Sequence, residues 1–168
     1  TDESDFIELV VVGDQTVELS AYTLELIDGT TGQPYGVYAL SDAADQLHPG
    51  ERMVLGPESV VTPLATQVAT LLTAGDFLAN GGVDGNAIRL VRSTVGGSEI
   101  IDAVAYEHAV PGANEGDSHV GFESQFGAGD TSFCRCPDSV DTNVNSFDFQ
   151  LHAPTPGDAN VCDDGEEE

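Results

Sequence analysis

The chain has 168 residues and a formal net charge of −26, with 30 acidic residues against four basic ones. Binding to nucleic-acid phosphates or to anionic lipid needs clustered lysine and arginine, so this composition excludes a nucleic-acid partner and disfavours docking on a membrane surface. The hydrophobic fraction of 40% indicates a packed core rather than disorder. No apolar run reaches the about 20 residues that a membrane span needs, so we expect no membrane insertion.

Eight segments have the composition of β-strands, being rich in β-branched and aromatic residues and separated by Gly, Asp and Pro. The predicted strands are Phe6–Val12, Tyr22–Ile27, Tyr35–Leu40, Arg52–Leu55, Ala87–Val91, Glu99–Tyr106, Phe133–Cys136 and Phe147–Leu151. The first is too apolar for a strict alternation and is therefore expected in the interior of a sheet. Together these segments predict an all-β sandwich of about eight strands.

One segment has helical periodicity instead. From Pro63 onward, Leu64, Val68, Leu71 and Leu72 recur at the spacing of one helix face. Thr62 is a suitable N-cap and Gly75 a suitable stop, so the pattern predicts one short helix of two to three turns that covers one end of the sandwich.

The acidic ends are expected to be solvated tails, over residues 1–4 and 163–168, and the acidic, glycine-rich segment 112–129 is expected to be a surface loop. The predicted folded domain therefore spans residues 5–162. The chain starts at Thr1 rather than at a methionine, and we expect that a preceding segment was removed or left out.

Three cysteines indicate the compartment. Cys134 and Cys136 are too close in sequence to bridge each other without strain, so Cys162 is expected to pair with one of them, with Cys136 preferred and Cys134 as the alternative. A disulfide predicts an oxidising, extracellular compartment. The surplus of acids without any lysine suits a saline medium, although a compositional bias of the lineage explains it equally well.

The segment from Asp141 to Asp148 could bind a cation. Asp141, Asn143, Asn145 and Asp148 place oxygen-bearing side chains at short intervals, as calcium loops do, but the central glycine and the final glutamate of an EF-hand are missing. The competing interpretation is that these residues cap turns through their own backbone, while Arg135 neutralises Asp138 or Asp148. We expect no cofactor, with Ca²⁺ as the alternative. A zinc site at the cysteines is disfavoured, because a second C-x-x-C or a histidine at zinc-finger spacing is missing.

The sequence contains little that indicates a catalytic site. There is no G-x-S-x-G elbow, and the four histidines stand in unrelated contexts without an H-x-H or H-x-x-x-H pair. We therefore predict a protein without catalytic residues.

Several blocks, taken together, resemble the lamin tail domain as it occurs in secreted bacterial proteins. The most specific are Arg135–Phe149, with Asp138, Asp141-Thr142, Asn145 and Asp148-Phe149, and then Thr155-Pro156-Gly157 with Asn160. Weaker blocks are Asp5–Leu9, Leu19–Leu24, Pro49–Gly56, Asn80–Leu90 and Ile101–Tyr106, so that the resemblance covers residues 5–160.

The resemblance implies an immunoglobulin-like β-sandwich that serves as an accessory or interaction module, outside the cell or at its surface, without catalytic residues. The expected partner is a protein or a component of the extracellular matrix or surface. The DNA binding of nuclear lamins is not expected here because the basic residues are too few.

Family members usually begin with one more strand than residues 1–4 can supply. Either the native chain has more sequence upstream, or Phe6–Val12 has an open edge, which would favour a homodimer through that strand. Two other functions stay open. One is a calcium-assisted binding module, perhaps for carbohydrate, and the other is an accessory domain of a larger secreted hydrolase.

Overall fold

A computed structural model gives the structure of the protein and describes residues 4–75, 77–79, 82–116, 119–121 and 131–162. The predicted tails, apart from Ser4, and most of the predicted loop 112–129 lie outside these residues. Neither of the two α-helices in the described part has the length and apolar character of a membrane span.

The first layer is a three-stranded sheet in the order β1-β6-β7, formed by β1 (Ile7–Val10), β6 (Arg52–Gly56) and β7 (Ala69–Leu72). β1 is antiparallel to β6, whereas β7 is parallel to β6. A parallel neighbour needs a crossover connection, which helix α1 (Glu58–Leu64) provides between β6 and β7.

The second layer is a four-stranded antiparallel sheet in the order β4-β3-β8-β9. Its strands are β3 (Tyr22–Asp28), β4 (Pro34–Ala39), β8 (Asn86–Thr94) and β9 (Gly97–Tyr106). Asp28 starts the turn between β3 and β4 by accepting a hydrogen bond from Thr31 N, which is the usual role of aspartate in turns.

Two short antiparallel pairs complete the strands of the described segments: β2 (Val17–Glu18) with β5 (Gln46–Leu47), and β10 (Ser132–Arg135) with β11 (Phe149–His152). A second helix, α2 (Asn145–Asp148), leads directly into β11. Single 3₁₀ turns occupy Leu19–Ala21, Leu40–Asp42 and Gly82–Asp84.

The core lies between the two main sheets. Leu24 and Leu26 of β3 and Met53 and Leu55 of β6 belong to one cluster of buried side chains. Each such side chain contributes about 1.5–3 kcal/mol through burial. A smaller cluster around Ile27 forms where residues 110–113 pack against the four-stranded sheet. The fold is therefore all-β and sandwich-like, as predicted, and all eight predicted strand segments contain a strand.

The predicted helix is misplaced. Helix α1 ends at Leu64 and holds Pro63 in its last turn, whereas Leu71 and Leu72 lie in β7. Pro63 has no N–H to donate to the carbonyl of residue 59, so it weakens the last turn of α1. The helical spacing of the leucines was misleading because β6 offers a strand edge, with which β7 pairs.

β1 is also placed differently from the expectation. Among the described strands it pairs only with β6, so it lies at the edge of its sheet rather than in the interior. Its apolar composition reflects side chains that pack into the core at a sheet edge, with Ile7 buried and Leu9 against the main cluster.

Candidate functional site: the Arg135 cluster

The hairpin of β10 and β11 contains the segment Arg135–Phe149, one of the most specific blocks of the sequence. Arg135 is the last residue of β10 and pairs with Phe149, the first residue of β11. Helix α2 ends at Asp148, directly before this pair. The register therefore brings Arg135, Phe149 and Asp148 together at one end of the hairpin.

Four carboxylates surround the guanidinium of Arg135. Nη2 lies 2.8 Å from Asp102 Oδ1 and 3.5 Å from Glu115 Oε2, and Nη1 lies 3.0 Å from both Asp141 Oδ1 and Asp148 Oδ2. Only 13% of the Arg135 side chain is exposed. We call these five residues the Arg135 cluster. A planar guanidinium suits this role because it has five donors in a fixed geometry.

Phe149 supports the cluster from one side. The guanidinium carbon of Arg135 lies 4.8 Å from the centre of the Phe149 ring. A cation over an aromatic face is stabilised by the ring quadrupole. The contact therefore fixes the side chain of Arg135 while its N–H groups face the carboxylates.

Asp148 is the most deeply buried acid of the cluster and is held in its charged form. Its carboxylate accepts hydrogen bonds from Thr142 N and Thr142 Oγ1, at 3.0 and 2.6 Å, and from Val144 N at 3.4 Å. Burial by itself raises the pKa of Asp148. The hydrogen bonds from Thr142 and Val144 and the charge of Arg135 lower it by more, so that the pKa lies below its usual value. Asp148 thus acts as the cap of the loop before α2.

Glu115 and Asp102 behave in the opposite way. Burial and the nearby charges of Asp102 and Asp141 raise the pKa of Glu115 to about 7, although Arg135 opposes the shift. Burial also raises the pKa of Asp102, with Arg135 opposing and Asp141 reinforcing. A single guanidinium does not compensate for crowding this many carboxylates.

Asn145 is fully buried and covers the outer edge of β9. Its Oδ1 accepts hydrogen bonds from Ala105 N at 3.1 Å and Glu115 N at 3.3 Å, and its Nδ2 donates to Ala103 O at 2.8 Å. The side-chain amide thereby replaces the backbone of a neighbouring strand. Unpaired edge groups invite pairing with other chains, so Asn145 closes this part of the sheet.

The predicted calcium ligands are only partly brought together. Asp141 and Asp148 meet at Arg135, whereas Asn145 turns to β9. Asn143 has a left-handed backbone, with φ 59°, and its N–H donates to Asp141 Oδ1 at 2.8 Å, as in an Asx turn. Asp141 also belongs to a group with Asp102 and Glu115 in which one oxygen from each lies within 4.8 Å of the others.

Arg135 neutralises Asp148, as the turn-capping interpretation of the sequence predicted. Asp138 instead pairs with Arg52. Asp138 Oδ2 lies 2.8 Å from Arg52 Nη2, and Arg52 Nε lies 3.1 Å from Glu8. Asn160 binds the same region because its N–H donates to Asp138 and its Nδ2 to Arg135 O. These contacts hold the C-terminal segment against β1 and β10.

The disulfide is confirmed as Cys136–Cys162, with a Cα–Cα distance of 5.6 Å. Cys134 is a half-buried thiol whose Sγ lies 3.9 Å from that of Cys136. Burial, followed by the charges of Asp138 and Glu8, raises the pKa of Cys134, so this thiol is disfavoured as a nucleophile. A disulfide is typical of proteins from oxidising compartments, including the extracellular space.

Sequence reasoning missed Asp102, Glu115, Glu8 and Arg52 as partners of the motif. Each lies more than 15 residues before Arg135, on a strand or loop that only the fold brings near, and no local pattern marks it. Comparison of the chain with protein-family models, with curated proteins and with solved structures finds no match.

Proposed function

We propose that this protein is a non-enzymatic, secreted or cell-surface module of the lamin tail domain type, which serves protein interaction or extracellular architecture. The supporting observation is the use of the motif residues. Arg135, Asp148 and Asn145 have their polar atoms engaged with one another or with nearby backbone and carboxylates, so they close the fold. Polar groups that are satisfied internally are poorly placed to act on a substrate.

The disulfide supports the extracellular part of the proposal, and the charge supports its interaction part. A protein of net charge −26 repels acidic surfaces and attracts cationic ones. The expected partner is therefore a protein or surface component with basic groups, in a bacterial and saline environment.

The test is binding of the labelled, oxidised chain to the surface and the extracellular fraction of the cells that produce it. We expect saturable binding that weakens with salt and disappears after reduction and unfolding. Turnover of ester, phosphodiester or glycoside substrates is measured in parallel. The proposal fails if hydrolysis persists at constant specific activity through purification and is lost in a folded point variant.

The alternative, a calcium-assisted module, stays a prediction. Asp102, Glu115 and Asp141 bring three carboxylates together, but the guanidinium of Arg135 already supplies positive charge there. Calorimetric titration with millimolar Ca²⁺ tests it in the wild type and in Asp141→Asn. Heat and a thermal shift that the variant lacks would support calcium binding, and the absence of any response would exclude it.

The proposal of an accessory domain of a larger hydrolase depends on the sequence that adjoins this chain in its gene.

A homodimer through β1 follows from the same proposal. β1 has an unoccupied neighbour position among the described strands. Mutual repulsion of two chains of charge −26 is screened by salt, because the Debye length falls to about 3 Å at 1 M. Light scattering at high salt and high protein concentration is expected to show twice the monomer mass, and a monomeric mass under these conditions contradicts the dimer.

A further inference from the structure

The first half of β9 is an open and exposed sheet edge. Residues 97–101 are all exposed, and over the described part of the chain no further strand pairs with them beyond β8. Asn145 closes the edge only at Ala103 and Ala105. We propose that residues 97–101, the β9 edge, dock an extended segment of another protein that alternates apolar and basic residues and adds to the sheet as a strand. The proposal rests on the interaction function proposed above, whose docking surface it names.

The outer strands elsewhere in the described sheets are less suited to such pairing. β1 has no exposed residue, and β7 has one, Leu72. β4 begins with Pro34, which has no N–H to donate to a neighbour. Among the described strands, the β9 edge is therefore the longest run of exposed residues.

A β-bulge exposes two isoleucines on the β9 edge. Leu90 pairs with Asp102 and Val91 with Ile100, so Ile101 is an extra residue of β9. A strict alternation would direct one of the two isoleucines to the core side of the sheet, but Ile100 is 47% exposed and Ile101 is 39% exposed. Both are thus available for the apolar cross-strand contacts that stabilise an added strand.

The charge at this edge is complementary to a basic segment. Within the β9 edge, Glu99 is the only charged residue, and it is exposed beside Arg92. The edge leads directly to Asp102, whose side chain is 38% exposed, as is that of Asp141. Both belong to the Arg135 cluster, in which four carboxylates share one guanidinium. A lysine or arginine of the partner would reduce the repulsion among these carboxylates.

The same charge disfavours a second copy of this chain as the occupant. Two chains of charge −26 would bring like charges together along the β9 edge, and such contacts are unfavourable. In strand addition, the main-chain hydrogen bonds give affinity and the alternating side chains give specificity. We therefore expect apolar residues of the partner opposite Ile100 and Ile101, and a basic residue near Asp102.

The experiment uses a peptide of about seven residues, the length of an ordinary strand, in which lysine and valine alternate. A comparison peptide has proline in place of the central valine, which keeps the charge but prevents strand pairing. In calorimetric titrations the alternating peptide should bind about tenfold more tightly or better, because the proline peptide loses backbone hydrogen bonds. On binding, amide hydrogen exchange should slow at the β9 edge and stay unchanged in β4.

Variants locate the docking surface. Ile101→Lys adds a repelling charge to the edge and should weaken binding of the alternating peptide about tenfold. Asp141→Asn removes a carboxylate beside the edge and should weaken binding about threefold. Val37→Lys on β4 and Asp42→Asn make the same changes elsewhere and should bind as the wild type does. Urea unfolding midpoints show whether the four variants are folded.

Three results of the peptide experiment overturn the proposal: equal binding of the two peptides, protection outside the β9 edge, or unchanged binding in Ile101→Lys. A dimer that the wild type forms without peptide and that Ile101→Lys lacks also overturns it, because a second copy would then occupy the edge.

Binding to the surface of the producing cells separates this proposal from the proposed function. Surface binding that Ile101→Lys retains overturns the β9 edge as the docking site and leaves the interaction function intact. Absence of surface binding by the wild type counts against the interaction function, and the two peptides then decide the β9 edge by themselves.

Discussion

Arg135 illustrates at the scale of one residue why an acidic protein keeps its few arginines. Two of the four, Arg135 and Arg52, are each 13% exposed and each contact at least two carboxylates. Arg92, by contrast, forms an exposed pair with Glu99 at 2.6 Å. The buried arginines reduce the repulsion between carboxylates that the fold brings together.

Replacing Arg135 by methionine should therefore destabilise the protein by about 3–5 kcal/mol, because buried carboxylates lose their counter-charge. Arg92→Met is the matched control, and its loss should stay below about 1 kcal/mol because exposed pairs contribute little. Urea unfolding of both variants and the wild type at pH 7 measures the difference. Equal losses of unfolding free energy in the two variants would show that the Arg135 cluster stabilises the protein no more than an exposed ion pair does.

Glu115 predicts a dependence of stability on pH. Its pKa is raised from 4.5 to about 7 in the folded state, so between these values the folded chain keeps a proton that the unfolded chain has released. By linkage, the free energy of unfolding should fall as the pH rises from 4.5 to about 7. Asp148 has a lowered pKa and acts at more acidic pH, where its contribution is lost as the pH falls.

The measurement is urea unfolding at pH 5 and pH 8 in high salt. Glu115→Gln should show a smaller fall than the wild type because its side chain does not titrate, whereas the exposed control Glu18→Gln should follow the wild type. A fall in Glu115→Gln as large as that of the wild type would assign the pH effect to other groups.

At the scale of elements, the C-terminal segment is held by few contacts besides the disulfide. Gly157 N donates to Glu8 Oε2 at 2.6 Å, and Asn160 binds Asp138 and Arg135. The Cys136–Cys162 bond spans 26 residues of sequence. A cross-link of this length stabilises a chain mainly by restricting the unfolded state.

Removing the disulfide in Cys136→Ala/Cys162→Ala should lower the free energy of unfolding by about 3–4 kcal/mol. Cys134→Ala is the control, and it should change stability far less because Cys134 is only half-buried and forms no bridge. Reduced wild type should unfold like the double variant. If reduction leaves the urea midpoint unchanged, the disulfide contributes nothing to stability.

The secondary structure of individual segments was predictable to different degrees. β3 and β9 were identified from β-branched and aromatic runs, and the structure confirms both. α1 and β7 were not separated, because Leu64, Val68, Leu71 and Leu72 satisfy a helical spacing although they lie in three different elements. Leu64 ends the helix, Val68 lies in the connection, and Leu71 and Leu72 lie in the strand. Pairing with the free edge of β6 makes residues 69–72 a strand rather than a continuation of the helix.

At the scale of the whole molecule, repulsion among the acids opposes compaction. Exposed acids such as Asp14, Glu18, Asp42 and Asp45 form no ion pair with an arginine among the described residues. At physiological ionic strength, salt largely screens the repulsion between exposed charges that lie farther apart than the Debye length of about 8 Å. Buried ion pairs are screened much less.

The melting temperature should therefore rise as NaCl increases from low concentration to about 0.5 M, where screening is strong. The variant Glu18→Gln/Asp42→Asn carries less exposed charge and should show a smaller rise. Calorimetric scans at several salt concentrations measure both. A melting temperature that is flat or falling over this range would remove self-repulsion as a determinant of stability.

The sequence by itself determined the all-β class and predicted that Cys162 pairs with one of the other two cysteines, because strand periodicity and the strain of a short ring are local properties of the chain. The structure decided for Cys136 over Cys134. Only the tertiary structure decided the partners of Arg135 and the closure of β9 by Asn145. Both depend on segments that are distant in sequence and on the register of strands, which local patterns do not encode. Ion pairs and edge contacts between such distant segments depend on how the sheets pack against each other, and this is a property of the whole fold.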